Sequence, residues 1–261
     1  MNLPRPKRVN VLGVGVSAIC MEEAVELIIN AAQNNDRGYV TVTGVHGVME
    51  SQDCEKLRAI HNDAFLVTPD GMPMSWLGWL YGYRKMDRVY GPDLMLEIMQ
   101  ATRDGKLQHF FYGGADGVAQ ELKSAFEKRC PGVNIVGTYT PPFRPLNETE
   151  KKDLLTQWEE SRPQIVWVGL STPKQERFMA EYVSQGAPAI FVGVGAAFDF
   201  HTGKVSQAPR WMQRAGLEWF YRVTQEPKRL WKRYFINNPK FLFLIALQLL
   251  GLRKKLLPKS F

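Results

Sequence analysis

The chain has 261 residues, of which 45% are hydrophobic and 23% are charged, a balance that is ordinary for a folded globular protein. Its three cysteines, Cys20, Cys54 and Cys130, are far apart and odd in number, which argues against a disulfide framework or a zinc site. No run reaches the roughly 18 to 20 apolar residues of a membrane-spanning helix, and no signal-peptide core follows the basic residues 1–8. We therefore expect a cytosolic protein with reduced thiols.

The net charge of +7 is concentrated near the end of the sequence. Residues 203–261 contain 13 lysines or arginines and two acids, whereas the rest of the chain has an excess of acids. The same segment holds an apolar run, residues 241–252, between Lys240 and the basic residues 253–255. Apolar residues between cations suit an anionic lipid surface better than a nucleic-acid groove. The alternative is a terminal helix buried against its own domain or a partner subunit.

The first two hundred residues alternate short apolar runs, typical of strands, with segments of helical spacing. Strands are predicted at residues 9–16, 39–43, 64–67, 108–112, 133–136, 164–168 and 189–194. Helices are predicted at residues 21–33, 47–61, 72–80, 117–129, 147–160 and 173–184, and another begins near Pro92. This order predicts an α/β fold with a Rossmann-like parallel sheet and helices on both faces.

Near residue 203 the pattern changes to a helical segment rich in tryptophan and arginine. Pro227 and Pro239 are expected to divide it into two or three helices. We predict two domains: residues 1–202 form the sheet domain, and residues 203–261 form a basic and apolar helical appendage that associates with a membrane.

The turn at residues 68–73 places one carboxylate directly after a predicted buried strand. Pro69 fixes the backbone before Asp70, and Gly71 frees it afterwards, so the chain bends sharply at the acid. In an open α/β sheet such a bend lies on the ligand-binding edge, which makes Asp70 a candidate for chemistry. The alternative is that Asp70 caps the helix beginning near Met72.

Three other loops that follow predicted strands could contact a nucleotide. Gly113 and Gly114 lie in the turn just before a predicted helix. Glycines there would let the backbone approach a ligand, and the N–H groups at the start of the helix would face an anion. Tyr139 could stack on a base, or lie half-buried in a rigid loop. Asp199 could accept hydrogen bonds from a uracil imide or a ribose, or could simply cap a helix.

The loop at residues 169–176 carries a stronger signal. Ser171 or Thr172 could cap the next helix, and Pro173 suits its first position. Lys174, Gln175 and Glu176 then present three different polar groups in one turn. Because a lysine there opposes the helix dipole, a bound anion or a hydroxyl-rich ligand would account for it.

One glycine pattern argues against a nicotinamide or flavin enzyme. Gly13 and Gly15 approximate the dinucleotide-binding fingerprint, yet the next predicted strand, residues 39–43, ends without the acid that would hold a ribose.

Together these segments resemble the WecG/TagA/CpsF glycosyltransferases, also called glycosyltransferase family 26. The matching pieces follow the family order and are residues 68–73, 88–95, 112–114, 169–176, 191–200, 216–219 and 225–229. The resemblance implies inverting transfer of a sugar from a UDP-sugar to a polyprenyl-diphosphate-linked saccharide, in bacterial surface or exopolysaccharide synthesis. It also implies a peripheral protein at the cytoplasmic face of the membrane. N-acetylmannosamine, its uronic acid and glucose are all compatible with it.

The resemblance also implies roles for particular residues. Asp70 would be the general base, and Arg88 and Gln175 would line the sugar and phosphate site, where Lys174 and Glu176 are further candidates. A family Thr-x-Asn pattern that contacts the substrate corresponds to Thr41 and Thr43. The second threonine departs from that pattern, because a hydroxyl lacks the two-sided hydrogen bonding of an amide.

The chain contains no Asp-x-Asp pattern of the kind that places a metal on a departing diphosphate. We therefore expect a metal-independent reaction without a cofactor, in which Arg88, Lys174 and helix N-termini stabilise the leaving group. Arginines of residues 203–261 could add to this stabilisation. The candidates for binding the acceptor pyrophosphate are five arginines of the C-terminal segment, called the tail below: Arg210, Arg214, Arg222, Arg229 and Arg233. An exposed apolar tail could also support a homo-oligomer. A non-catalytic membrane scaffold on the same fold is the alternative function.

Overall fold

The computed structural model describes residues 5–253 and residue 257. Its strands are β1 (Arg8–Val11), β2 (Val14–Ser17), β3 (Gly38–Thr43), β4 (Leu66–Pro69), β5 (Gln108–Gly113), β6 (Asn134–Tyr139), β7 (Ile165–Gly169) and β8 (Ile190–Gly193). Its helices are α1 (Met21–Gln33), α2 (Val45–Asp53), α3 (Glu55–Asp63), α4 (Met72–Leu80), α5 (Gly91–Ala101), α6 (Val118–Arg129), α7 (Glu148–Ser161), α8 (Lys174–Ser184), α9 (Ala197–His201), α10 (Arg210–Arg214), α11 (Glu218–Gln225) and α12 (Pro227–Leu249). Six strands form one parallel sheet in the order β4-β3-β8-β7-β5-β6, flanked by helices, which confirms the predicted α/β class.

The chain divides into two compact units that are discontinuous in sequence. Among the described residues, the first unit comprises residues 22–40 and 91–204. The second comprises residues 5–21, 41–90 and the described residues from 205 onward. The predicted domain boundary between residues 202 and 203 stays a prediction. The residues beyond it group with two earlier segments of the chain.

Aromatic packing fills the core of the first unit. The buried Trp158 on α7 meets the ring edges of Phe110 on β5 and Phe191 on β8, with ring centroids 6.2 and 5.3 Å apart. Such edge-to-face pairs add to the hydrophobic gain of burial. Strand β6 extends to Tyr139, beyond the predicted end at residue 136, because Gly137 pairs with Phe110. A Cβ at Gly137 would lie 2.5 Å from the Phe110 ring, so only glycine fits that position.

The prediction of one strand at residues 9–16 is wrong. Strands β1 and β2 form a separate antiparallel hairpin in the second unit. Leu12 and Gly13 both have positive φ in the turn, and Asn10 Oδ1 accepts a hydrogen bond from the Gly13 amide at 2.8 Å. Positive φ at both central residues is the geometry of a tight hairpin turn. Gly13 therefore does not lie in the strand-to-helix turn that a dinucleotide fingerprint requires.

Two helix predictions also need correction. The helix expected at residues 47–61 is two helices, α2 and α3, because Cys54 between them has an extended backbone. Conversely, Pro239 does not end a helix, because α12 continues through it from Pro227 to Leu249. A proline in a helix interior is unfavourable by about 3 kcal/mol relative to alanine, so tertiary packing must offset that cost.

Helix α12 supplies that packing through one of its faces. Phe241, Leu244 and Ile245 are buried, whereas Leu242 and Phe243 are exposed. One side of α12 is therefore packed within the second unit, as the alternative for this segment expected, and the other side is open. Contact of the open side with lipid stays a prediction. Among the described residues, no helix has the length and apolarity needed to cross a membrane. The predicted cationic flank at residues 254–255 and the first four residues of the basic start lie outside the described residues.

Replacing Pro239 with alanine is expected to stabilise the protein. Pro239→Ala restores an N–H that can donate to the carbonyl four residues earlier in α12, so the free energy of unfolding should rise by up to about 3 kcal/mol. The matched control is Pro227→Ala at the first position of the same helix. Proline is favourable there, so that variant should change stability by no more than about 0.5 kcal/mol or lower it. Urea denaturation measures both, and equal effects would contradict the explanation.

Candidate active site

Asp70 lies directly after β4 in the second unit, at the predicted bend. The amide of Asp70 donates to the Thr43 carbonyl at 3.0 Å, and the Val89 amide donates to the Pro69 carbonyl at 2.8 Å. Gly71, with φ of +88°, is the N-cap of α4. Asp70 therefore precedes the capping position, so the interpretation of this acid as the helix cap is wrong. Its half-buried carboxylate lies in a turn whose backbone is held on both sides.

The backbone passes unusually close to Asp70 at Gly44. A Cβ added to Gly44 would lie 2.7 Å from the Asp70 carbonyl oxygen and 3.6 Å from its carboxylate atom Oδ2. A larger residue would push this turn away from β3. The position of the acid thus depends on a glycine that the sequence pattern did not single out.

The Arg88 side chain is enclosed by residues from the tail. It donates to Gln213 Oε1 at 2.8 Å and forms an ion pair with Glu218, the first residue of α11. The guanidinium also lies over the Tyr90 ring, 4.0 Å from the ring centroid. Planar guanidinium groups suit such combined hydrogen-bonding and stacking arrangements. The predicted phosphate-site arginine is therefore held by α10 and α11.

Two carboxylates and three guanidinium groups influence one another in this region. Burial raises the pKa of Glu218, the Asp70 charge adds to the rise, and Arg88 opposes it. Burial likewise raises the pKa of Tyr90 well above its ordinary value, with a further contribution from Glu218. Arg222 and Arg233 both lie within electrostatic reach of Asp70. With Arg88, they give the cluster more cations than anions, a balance that favours an anionic ligand.

The five predicted tail arginines have different surroundings. Arg222 and Arg233 are half-buried near Asp70. Burial lowers the pKa of Arg233, and among the described residues no acceptor reaches its buried Nε atom. Arg210 and Arg214 are exposed on α10, and the exposed Arg229 pairs with Glu226 at 2.7 Å. Arg222 and Arg233 are therefore the stronger pyrophosphate candidates.

Thr41 and Thr43 are buried rather than open to a ligand. The Thr43 hydroxyl donates to Thr41 Oγ1 at 3.0 Å, and His61 Nδ1 lies 3.3 Å from each hydroxyl oxygen. Burial lowers the pKa of His61 to about 4, and Arg8 adds to the effect. A sugar contact by these threonines stays a prediction. In this structure their hydroxyls bond within the protein, to each other and to His61. They thereby stabilise β3, whose Thr43 carbonyl accepts a hydrogen bond from the Asp70 amide.

Other predicted residues lie in the first unit, at the carboxyl ends of the parallel neighbours β6, β5, β7 and β8. Gly113 and Gly114 have positive φ, and a Cβ at Gly113 would lie 2.6 Å from the Gly169 carbonyl. Packing between strands therefore already requires glycine at that position. Tyr139 is half-buried and stacks on Tyr112 with centroids 5.6 Å apart. Asp199 is half-buried on α9.

The start of α8 differs from the predicted capping arrangement. Pro173 is the N-cap, and neither Ser171 nor Thr172 occupies that position. Thr172 instead donates from Oγ1 to Glu176 Oε1 at 2.8 Å. Gln175 and Glu176 are buried, Lys174 is exposed, and Gln175 Nε2 donates to the Gly193 carbonyl at 3.3 Å. Among the described residues, no donor reaches Gln175 Oε1, so a ligand hydroxyl could supply one.

Four site residues were not predicted from the sequence: Tyr90, Gln213, Glu218 and His61. Glu218 carried a usable signal, because it is one of two acids between residues 203 and 261. An isolated acid in a basic segment suggests a specific cationic partner. No group of three or more His, Cys, Asp and Glu side chains among the described residues could hold a metal ion.

The Arg88–Glu218 pair should show strong energetic coupling. Arg88→Ala is expected to lower the free energy of unfolding by about 3 to 5 kcal/mol, because it removes the ion-pair partner of a largely buried carboxylate. In a Glu218→Gln background the same substitution should cost much less. Denaturant unfolding at pH 8 of the wild type, both single variants and the double variant measures the coupling. Additive effects would contradict the arrangement.

Stability should fall as the pH falls from about 6.5 to about 4. His61 is held neutral in the folded protein but binds a proton in the unfolded chain, so unfolding takes up a proton in that window. The lowered pKa corresponds to about 3 kcal/mol at the acid end. His61→Gln should therefore reduce the slope of unfolding free energy against pH. His109 and His201, whose pKa values are also lowered by burial, remain in the variant and keep part of the slope.

Comparison with known proteins identifies the family. The model of the glycosyl transferase WecG/TagA/CpsF family matches residues 9–255. Two relatives are each named N-acetylglucosaminyldiphosphoundecaprenol N-acetyl-beta-D-mannosaminyltransferase. The one from Bacillus spizizenii strain W23 is 30% identical over 209 residues, 80% of this chain and 78% of the relative. The one from Bacillus subtilis strain 168 is 31% identical over 175 residues, 67% of this chain and 66% of the relative. The chain therefore belongs to the WecG/TagA/CpsF family and is a glycosyltransferase.

Proposed function

We propose that this protein transfers a hexosaminyl-type sugar, with inversion, from a UDP-sugar to a polyprenyl-diphosphate-linked saccharide at a membrane surface. The observation that supports it most is the half-buried Asp70, which lies within electrostatic reach of Arg222 and Arg233 and acts on the same Glu218 that Arg88 pairs with. The names of the two relatives favour N-acetylmannosamine as the sugar and N-acetylglucosaminyl-diphosphoundecaprenol as the acceptor. The reaction class fits synthesis of a bacterial cell-envelope polymer.

In the proposed mechanism, Asp70 is the general base. Its carboxylate takes the proton from the acceptor hydroxyl while the hydroxyl oxygen attacks the anomeric carbon of the donor sugar. The bond from that carbon to the UDP oxygen breaks, and UDP leaves with the electron pair. One carboxylate is enough for inversion, because attack and departure occur on opposite faces of the sugar.

Guanidinium groups take the place of a metal in this proposal. A departing diphosphate carries negative charge that needs fixed positive groups around it. Arg88 is held in place by Gln213 and Glu218, so it costs little reorganisation when charge develops. Arg222 and Arg233, which are proposed to bind the acceptor pyrophosphate, add two further cations near Asp70. Among the described residues, no acceptor reaches the Arg233 Nε atom. The missing Asp-x-Asp pattern agrees with a metal-independent reaction.

The proposed donor contacts include the predicted residues of the first unit. Gln175 has a buried amide oxygen that a sugar or ribose hydroxyl could satisfy, and Lys174 is exposed for a phosphate. Gly113, Gly114, Tyr139 and Asp199 are proposed to contact the nucleotide.

Substitution of Asp70 tests the function directly. Asp70→Asn keeps the shape of the side chain but removes the base, so the rate of UDP release should fall by about 10² to 10⁴-fold. The matched control is Asp63→Asn, an exposed acid at the end of α3, which should leave the rate unchanged. The assay uses UDP-N-acetylmannosamine, other UDP-sugars and a polyprenyl-diphosphate N-acetylglucosamine acceptor. Undiminished activity of Asp70→Asn would contradict the base assignment and favour a scaffold.

Removal of metal tests the second part of the proposal. With excess EDTA, the wild-type rate should remain at its full value, because arginines rather than a divalent ion would stabilise the leaving diphosphate. The comparison measures UDP release with EDTA, and with EDTA followed by excess Mg²⁺ or Mn²⁺. A rate that falls in EDTA and returns with the metal would refute the metal-independent mechanism.

A further inference from the structure

Apolar side chains are exposed at the carboxyl-terminal end of α4, outside the tail that the sequence pointed to. Trp76, Trp79 and Tyr81 are each about 40 to 45% exposed, and Leu80 is 63% exposed. A surface helix of a soluble protein normally turns polar residues towards water. Four large apolar or aromatic side chains within six residues form an exposed patch that needs a partner.

Two cations follow this patch directly. Arg84 and Lys85 are both exposed in the turn after α4. Tryptophan and tyrosine favour the region between lipid headgroups and acyl chains, where one edge of the ring is apolar and the other is wet. Lysine and arginine beside them attract anionic headgroups. The composition of this turn therefore matches a lipid interface better than a water-facing loop.

The patch is continuous with the end of α12. Gln248 donates from Nε2 to the Tyr81 hydroxyl at 2.9 Å, and its Oε1 accepts a hydrogen bond from the Leu12 amide at 2.8 Å. Gln248 thereby fixes the last turn of α12 beside the end of α4. The next residues, Leu249 and Leu250, are 47% and 71% exposed. We call the two exposed segments together the α4–α12 surface, comprising Trp76, Trp79, Leu80, Tyr81, Leu249 and Leu250.

We propose that the α4–α12 surface docks on an anionic membrane, with Leu80 and Leu250 entering the boundary of the acyl chains and with Arg84 and Lys85 on lipid phosphates. The choice of this occupant rests on the proposed function, since the acceptor is a lipid. The surface extends the membrane contact from the tail to a helix that begins two residues after Asp70. A nine-residue helix is about 13 Å long. Docking at one end of α4 would therefore set the height of the base above the lipid.

Charge disfavours a second copy of the chain as the occupant. In a two-fold dimer the same patch faces itself, so residues beside its centre approach their own copies. Arg84 and Lys85 would then face like charges at the edge of an apolar contact. An anionic headgroup layer neutralises both cations instead.

Binding to vesicles tests the surface. The probes are vesicles of equal parts phosphatidylglycerol and phosphatidylcholine, and vesicles of phosphatidylcholine alone, with sedimentation as the readout. Leu80→Glu should weaken binding to the anionic vesicles by about tenfold or more, because it removes an inserted side chain and adds a negative charge. The double variant Arg84→Gln/Lys85→Gln should lose about fivefold per cation on anionic vesicles and change little on neutral ones.

The matched control is Phe143→Glu, which places the same charge on a side chain that is 94% exposed in the first unit. It should bind like the wild type. Unchanged vesicle binding by Leu80→Glu would overturn the proposal. A change in the sedimentation coefficient of Leu80→Glu without any change in vesicle binding would also overturn it, in favour of a contact between copies.

Two acceptors separate this proposal from the proposed function. Leu80→Glu should retain wild-type transfer to a water-soluble N-acetylglucosaminyl diphosphate with a short alkyl chain. With the long polyprenyl acceptor in anionic vesicles, its rate should fall with its binding. If the wild type transfers sugar to neither acceptor, the proposed function fails, while the vesicle measurements still decide the docking surface.

Discussion

The ion pair between Arg88 and Glu218, supported by Gln213, is the interaction on which the rest of the candidate site depends. It joins the segment after α4 to helices α10 and α11, more than a hundred residues later in the chain. Both charged groups are largely buried, so removing either one would leave the other as a buried charge without its ion-pair partner. The pair fixes the Arg88 guanidinium beside Glu218, a carboxylate that also lies within electrostatic reach of Asp70 and Arg222.

This arrangement gives the basic tail a structural role beside its proposed role at the membrane. The tail belongs to the compact unit that contains Asp70, and it supplies the hydrogen-bonding partners of Arg88. Its last helix buries Phe241, Leu244 and Ile245 while Gln248 bonds to the β1–β2 hairpin and to Tyr81. Helix α12 would take part in both lipid docking and the candidate site, because it carries Arg233 as well as the exposed leucines at its end. This would couple arrival at the membrane to the geometry around Asp70.

Support for Asp70 itself comes from a second layer of buried polar groups. Thr43 links its hydroxyl to Thr41 and His61, and its carbonyl accepts the amide of Asp70. Rigid hydrogen-bonded neighbours of this kind hold a reactive group in place more precisely than a solvated loop can. The threonines that the family pattern associates with substrate thus act in this structure on the strand that holds the amide of Asp70, the proposed base.

The sequence by itself determined the α/β class, the bend at Asp70, the basic tail and the family, because each depends on local periodicity, turn residues or short motifs. It did not determine the hairpin at residues 8–17, the continuity of α12 through Pro239 or the burial of Thr41 and Thr43. The hairpin depends on a left-handed backbone at Leu12, which a leucine does not signal. The burial of the threonines and the packing of α12 depend on contacts between distant residues, such as Thr43 with His61 and Leu12 with Gln248. Local pattern carries no information about which distant side chain will satisfy a charge or cover an apolar face. Only the tertiary structure decided that the tail surrounds Arg88 and that α4 shares an exposed apolar surface with α12.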